Sequence, residues 1–303
     1  MRAALRLLLP VLLIGLCLWA FEAAEIGTRL AAADPVWIAA AVLLLLGQTV
    51  LMALRWRLVA RCLGIGMPLG WALREYLASQ ALNATLPGGV LGDAARAVRT
   101  RAGPAGLKGA AQAVVVERAA GQVGLAAVLA IGLAVATASG ALPGMWLAAL
   151  AAGLVTLAVA AVLAASSTRL AALGRRCLPT RRVAAVQAGL SLGAAVLNVA
   201  AFAACAKATG TDLPAGSVLV LVPLILTAML IPLTVGGWGW REGAAAALFP
   251  LAGAAPEAGV AAGIAFGATI LLATLPFAAV ALSGRPSRGV RSIDDAGKAK
   301  VAR

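Results

Sequence analysis

Ile231-Pro232-Leu233-Thr234-Val235-Gly236-Gly237-Trp238-Gly239-Trp240-Arg241-Glu242-Gly243 decides the reading of this chain, together with an earlier echo, Leu86-Pro87-Gly88-Gly89-Val90-Leu91-Gly92-Asp93-Ala94-Ala95-Arg96. Each stretch ends a hydrophobic segment with Pro, a Gly pair and a third Gly. Each then sets charged residues at the start of another helical run. Two backbone breaks ending in charges, in a very apolar chain, predict paired broken helices around a polar site of the kind found in transporters.

The surrounding composition supports that class. Hydrophobic residues make up 62% of the 303 and charged residues 12%, about half the charge of a soluble domain. Several apolar runs reach the ~20 residues that cross a bilayer. The chain contains no His, and Cys17, Cys62, Cys177 and Cys205 are scattered without metal-ligand spacing, which excludes a zinc site of ordinary type. No phosphate loop of the G-x4-G-K-[ST] kind is present, so ATP hydrolysis is not expected. No cofactor is expected either.

A net charge of +14 could point to nucleic acid, but its distribution points to topology. Apart from Arg29, Arg118, Lys207 and Arg241, the 25 Lys and Arg lie in the N-terminus, the tail and three stretches, Arg55–Arg74, Arg96–Lys108 and Arg169–Arg182. The linkers between carry Glu22, Glu25 and Asp34, or almost no charge. This is the positive-inside pattern, with basic loops on the cytoplasmic side that attract anionic lipid. A nucleic-acid partner is not expected.

Following that rule, spans at about Leu5–Phe21 and Val36–Leu54 go out and return. The segment Trp71–Arg101, basic at both ends, has to enter and leave on the cytoplasmic face. It reads as a re-entrant hairpin broken at Pro87–Gly92. Spans at about Gly109–Ala134, Trp146–Ala165 and Val183–Cys205 follow, then a segment Ala215–Pro250 that turns back on the outer face, then a span at about Ala258–Leu282. The predicted fold is therefore an all-α polytopic membrane protein. It has about six full transmembrane helices plus two oppositely oriented re-entrant hairpins in an inverted-topology repeat. One domain covers 1–282, repeat 1 about 1–140 and repeat 2 about 141–282, with a basic tail at 283–303 expected to be disordered and cytoplasmic. Arg2 and Arg6 before an apolar run resemble a signal peptide, but the repeat needs this helix, so an uncleaved first span in a bacterial inner membrane is the expectation. Both termini then face the cytoplasm.

Charges inside such helices are costly and should face inward and pair. That singles out Asp93, Arg96, Glu117, Arg118, Arg241 and Glu242, with Asn83 and the backbone of Pro87, Gly88, Gly89, Gly236 and Gly237 at the breaks. Arg118 and Arg96 could instead sit at the interface, and Asn83 could bond a neighbouring helix. Trp238 and Trp240 fit a ligand stack or an aromatic belt equally well. Helices restarting near Asp93 and Arg241 would aim N-termini, and thus an anion-favouring field, at the site, with arginine as a bidentate phosphate donor.

These residues carry a family resemblance. Leu54-Arg55-Trp56-Arg57, then Asn83-x3-Pro87-Gly88-Gly89-x2-Gly92-Asp93-x2-Arg96, then Glu117-Arg118, then Gly236-Gly237-x-Gly239-x-Arg241-Glu242-Gly243 resemble the flippase-like transmembrane domain of bacterial lysylphosphatidylglycerol synthases, the multiple peptide resistance factors, and its stand-alone relatives. The resemblance runs from about Leu54 to Leu282. It implies an inner-membrane protein moving a lipid with a charged head group between leaflets, such as an anionic or aminoacylated phospholipid or a polyprenyl-linked lipid. Nothing in the 303 residues resembles the synthases' aminoacyl-transferase domain, so the lipid stays open. On this reading Arg96 and Arg241 hold phosphate in turn, while Asp93, Glu117 and Glu242 balance charge. The alternatives are a non-transporting partner that presents a lipid carrier to a glycosyltransferase or other lipid-biosynthesis enzyme, and an intramembrane lipid-modifying enzyme. Catalysis is not expected: without His or clustered acids, a Ser/His protease or metal-dependent phosphotransferase lacks its groups. Ala- and Gly-rich helices permit homo-oligomers.

Overall fold

A computed structural model describes residues 19–86, 89–101, 105–138, 168–230 and 234–283, with a few isolated positions besides. Ten α-helices are defined in it: α1 (Ala23–Ala31), α2 (Pro35–Cys62), α3 (Leu69–Thr85), α4 (Leu91–Thr100), α5 (Gly106–Ala138), α6 (Thr168–Cys177), α7 (Arg181–Ala208), α8 (Ala215–Ala228), α9 (Trp240–Leu248) and α10 (Pro256–Ser283). Two of the long helices start at side-chain caps. Asp34 accepts from the Val36 amide at 2.8 Å with Pro35 at the first position, and Thr180 accepts from the Val183 amide at 3.2 Å. Both satisfy donors that a helix start otherwise leaves unmade.

Among the described residues, four helices are long and apolar enough to cross a membrane: α2, α5, α7 and the Pro256–Pro276 part of α10. At 1.5 Å per residue the 28 residues of α2 and of α7 reach about 42 Å, beyond the ~30 Å hydrocarbon core. Leu43, Val123, Ile131 and Leu272 lie exposed on these helices, an arrangement that suits lipid and would be costly in water. The other arms are short. The 17 residues of α3 and 14 of α8 reach about 25 and 21 Å, and α4 and α9 less still.

α2 and α7 pack along each other at the centre, α10 lies against α3, and α8 against α5. One apolar core gathers Leu45 of α2, Phe202 and Cys205 of α7, Val222 and Ile225 of α8, and Phe266 of α10. A second joins Trp56 and Val59 of α2, Tyr76 of α3, Ala110 and Ala113 of α5, and Leu173 and Cys177 of α6.

The described helices correct several boundaries. α2 does not stop at Leu54 but runs on to Cys62, because Trp56, Val59 and Ala60 are buried in the second core; the basic Arg55-Trp56-Arg57 is helix interior and not the membrane edge. α1 and α6, read as linkers from their charges, are helices. In α1 an i,i+4 Glu25–Arg29 pair at 2.9 Å supports the turn, while α6 buries Leu173 and Cys177. Within the tail, Arg291–Ser292 pairs antiparallel with Ile65–Gly66. Most of the expected spans 5–21 and 146–165 falls outside the described residues.

Candidate functional site

The first break closes on itself through Asn83. Its side-chain carbonyl accepts the Gly92 amide at 2.8 Å, and its amide nitrogen donates to Asp93 Oδ2 at 3.3 Å. α4 thereby begins against the flank of α3. Gly92 is required there: a Cβ would stand 2.0 Å from the Ser79 carbonyl oxygen. The second break leads into α9 through Gly236 (φ +54°), Gly237 (φ +77°) and Gly239 (φ +87°). A Cβ on Gly236 would lie 2.9 Å from the carbonyl oxygen of Ala84, so the tip of the second break rests directly on the end of α3. The second break thus meets the end of the helix that leads into the first, about 150 residues earlier in sequence.

Beneath the first break runs a chain of alternating charge. Arg55 of α2 donates through Nε to Glu117 Oε1 at 3.2 Å and through Nη2 to the same oxygen. Glu117 of α5 also accepts from Tyr76 Oη at 3.0 Å, and its Oε2 from Arg96 Nη2 at 3.2 Å. Arg96 of α4 in turn donates to Asp93 Oδ1 at 2.9 Å, and Asp93 Oδ2 pairs with Arg118 Nη2 of α5 at 2.7 Å. Ser79 donates to Asp93 Oδ1 at 3.1 Å. The order is Arg55–Glu117–Arg96–Asp93–Arg118, with an arginine at each end. Arg96 has no exposed surface, and its guanidinium carbon lies 4.5 Å from the Trp56 ring centre and 4.3 Å from that of Tyr76, a desolvated cation–π sandwich.

The second charged unit is smaller and self-contained. Arg241 donates through Nε to Glu242 Oε1 at 3.0 Å and through Nη2 to the same oxygen, and Glu242 Oε2 accepts the Gly239 amide at 2.6 Å. The Arg241 guanidinium stacks on Trp238 at 4.7 Å.

A cavity of about 460 Å³ opens between the two breaks, within the range of small-ligand sites. Of the residues chosen from sequence, Asn83, Gly89, Asp93, Arg118, Gly236 and Gly237 line it. Arg96, Glu117, Arg241 and Glu242 do not. They are buried behind the wall, at no more than 1% exposure, with their charges spent on each other. Arg96 and Arg241, expected to hold phosphate, lie behind this wall: Arg96 Nη2 bonds Asp93 and Glu117, and Arg241 bonds Glu242. Pro87 and Gly88 lie outside the described residues. Sequence reasoning missed Arg55, read as a topological charge, although it lines the cavity with Gln48, Thr49, Gln80, Gln122, Ser191, Asn198 and Thr234. Arg55 lies two turns beyond Gln48 on the same face of α2, and that position in an apolar run was the available signal. Among the described residues no cluster of His, Cys, Asp or Glu could hold a metal ion.

Comparison with protein families gives one result. The family model described as the lysylphosphatidylglycerol synthase TM region matches residues 4–277. A search of curated proteins found no match.

Proposed function

Because the chain belongs to the lysylphosphatidylglycerol synthase transmembrane-region family, we propose that it is a lipid flippase, moving a lipid with a charged head group between the leaflets of a bacterial inner membrane. The observation that carries the proposal is the cavity itself. Two glycine-rich breaks supply its wall from opposite halves of the chain, and Arg55, Asp93 and Arg118 supply its charge. A head group passes through this polar space while acyl chains stay in the bilayer. Irregular backbone is tolerated at membrane depth where it lines such a cavity.

The architecture behind this is an inverted repeat with two re-entrant hairpins, α3–α4 and α8–α9. Two observations support it. The arms are shorter than the ~30 Å hydrocarbon core, and the packing survives an exchange of halves. Swapping α2 with α7, α3 with α8, α4 with α9 and α5 with α10 turns the α10–α3 contact into α5–α8, and the α4–α5 contact into α9–α10, while α2–α7 maps onto itself. The basic ends of α2, α4 and α6 face the cytoplasm in this arrangement.

Roles divide by position. Arg118 and Asp93, with Asn83, Gly89, Gly236 and Gly237, meet the head group. Glu117 and Arg96 fix the geometry of the first break, and Arg241 with Glu242 fixes that of the second. No step here requires catalysis or a cofactor. The test is leaflet exchange of fluorescent phospholipids in proteoliposomes, read by quenching of the outer leaflet. The wild-type protein should exchange lipid, and Arg118→Ala should slow it at least tenfold. Absence of exchange under every ion gradient tried would refute the proposal, while retained binding of a lipid-biosynthesis enzyme would favour a presenting partner.

A further inference from the structure

The three arginines and two carboxylates of the chain Arg55–Glu117–Arg96–Asp93–Arg118 leave one positive charge uncompensated. The other buried charged unit, Arg241–Glu242, is neutral. The ends of the chain line the cavity and its middle does not, so a ligand meets the excess charge at Arg118 and Arg55, while Arg96 keeps Nε and Nη1 buried without partners behind the wall. Arg118 is 42% exposed in its side chain and has its Nε buried without a hydrogen-bond partner, so the guanidinium is reachable and one donor there is free for an acceptor.

We infer that the head group taken here is a single phosphodiester monoanion carrying hydroxyl groups, and that an added ammonium, as on an aminoacylated lipid, is rejected. This rests on the lipid-transport reading of the same cavity.

A monoanion cancels the excess charge, and a phosphodiester beside Arg118 gives its unpartnered Nε an acceptor, while Arg55, already bonded to Glu117 and Ser191, adds its positive field to the wall. An ammonium has nowhere to go. Asp93 is the acid on the cavity wall, and its four acceptor positions are filled: Oδ1 by Arg96 and Ser79, Oδ2 by Arg118 and Asn83. A carboxylate offers about four lone-pair sites, so none remains. The aromatic alternative, a cage of ring faces, is missing too. Among the described lining residues Phe266 is the aromatic one, and it already faces Arg241 at 5.8 Å. The rest of the wall is neutral and polar. Thr234 Oγ1 is buried without a partner, and the Gln80 amide nitrogen meets only the Met52 sulfur, at 4.0 Å. With Gln48, Gln122 and Asn198 these groups match the donors and acceptors of a polyol such as glycerol.

The test reads binding separately from transport. The full chain, purified in detergent, is titrated with dihexanoyl phosphatidylglycerol, dihexanoyl lysyl-phosphatidylglycerol, dihexanoylglycerol and the deacylated glycerophosphoglycerol, following thermal stabilisation. Phosphatidylglycerol should act at a half-saturating concentration about tenfold or more below that of its lysyl ester, since like charges brought together cost several kcal/mol. Dihexanoylglycerol should not stabilise. Arg118→Gln should abolish the preference and Arg118→Lys should keep it. Equal or stronger stabilisation by the lysyl lipid overturns the inference, and this comparison on the unmodified protein stands even where a variant fails to fold. Glycerophosphoglycerol acting as well as the lipid, or selective binding without leaflet exchange in proteoliposomes, upholds the charge assignment and overturns transport.

Discussion

Replacing Glu117 by Gln tests the central claim that the first break is held by a closed electrostatic chain. Glu117 has no exposed surface and accepts from Arg55, Arg96 and Tyr76. Gln keeps the volume and one acceptor but turns an NH2 toward groups that are themselves donors. The cluster's charge rises from one positive to two around a fully buried position. Removing one partner of a buried ion pair costs about 3–5 kcal/mol, and here two arginines lose their shared acid, so the upper half of that range is expected. That is a large share of a typical ~5–15 kcal/mol of folding stability. The sharper measurement adds Arg96→Met, which removes one cation, restores the original charge, and fills the space between Trp56 and Tyr76 with a side chain suited to aromatic neighbours. Denaturation in mild detergent of the wild type, both single variants and the double variant forms a complete cycle. The double variant should be more stable than the sum of the singles by at least ~1 kcal/mol, the scale of direct coupling. A cost for Glu117→Gln below ~1 kcal/mol, or strict additivity, would refute the network.

Gly236→Ala should destabilise by about 1–3 kcal/mol, combining a positive-φ penalty with overpacking against Ala84, and the loss would appear as a lower melting temperature; an unchanged midpoint would mean the two breaks do not touch. Asp93→Asn should free Arg118 and Arg96 from their shared acid and lower leaflet exchange at least tenfold while leaving phosphatidylglycerol binding detectable, with retained exchange counting against a role for the acid in the passage step. On a Cys-free background, single cysteines at the exposed positions Gly70 and Arg101 should react with an impermeant maleimide from the cytoplasmic side only, and those at Ala215 and Ala255 from the outer side only. A pair that labels from opposite faces would turn that hairpin into an ordinary span.

Much of the architecture was legible because bilayer physics writes it into local composition. Length and hydropathy located α2, α5, α7 and α10, and Pro-Gly-Gly pairs located both breaks. The errors arose where one signal served two purposes. Arg55 and Arg57 lie side by side and read together as a cytoplasmic edge, yet Arg57 reaches the Met67 carbonyl at 3.0 Å while Arg55 turns inward to Glu117. A charge count over a window cannot separate two residues on different faces of one helix. α1 and α6 were passed over for a related reason. Their polarity suggested loop, whereas a short amphipathic helix with one buried edge meets the same charge count.

The site was legible as a list but not as an arrangement. Asp93, Glu117, Arg118 and the glycines stood out because charges and breaks are rare in such a chain. Which arginine faces the ligand was decided by partners far away in sequence: Arg55 reaches 62 positions to Glu117, and Arg96 reaches 21. No local pattern carries that information. Two carboxylates can neutralise only two of three arginines; Arg96 bridges both acids through Nη2 while its Nε and Nη1 stay buried without a partner, and Arg55 bonds through all three nitrogens. What a ligand meets is set by position: the ends of the chain, Arg55 and Arg118, are the points where the wall meets the cavity. In the second unit one acid faces one arginine, so nothing is left over. On the proposed transport reading, the charged contacts to a head group come from the first half, while the second half adds the neutral wall of Thr234, Gly236 and Gly237 and spends its charges within the Arg241–Glu242 pair.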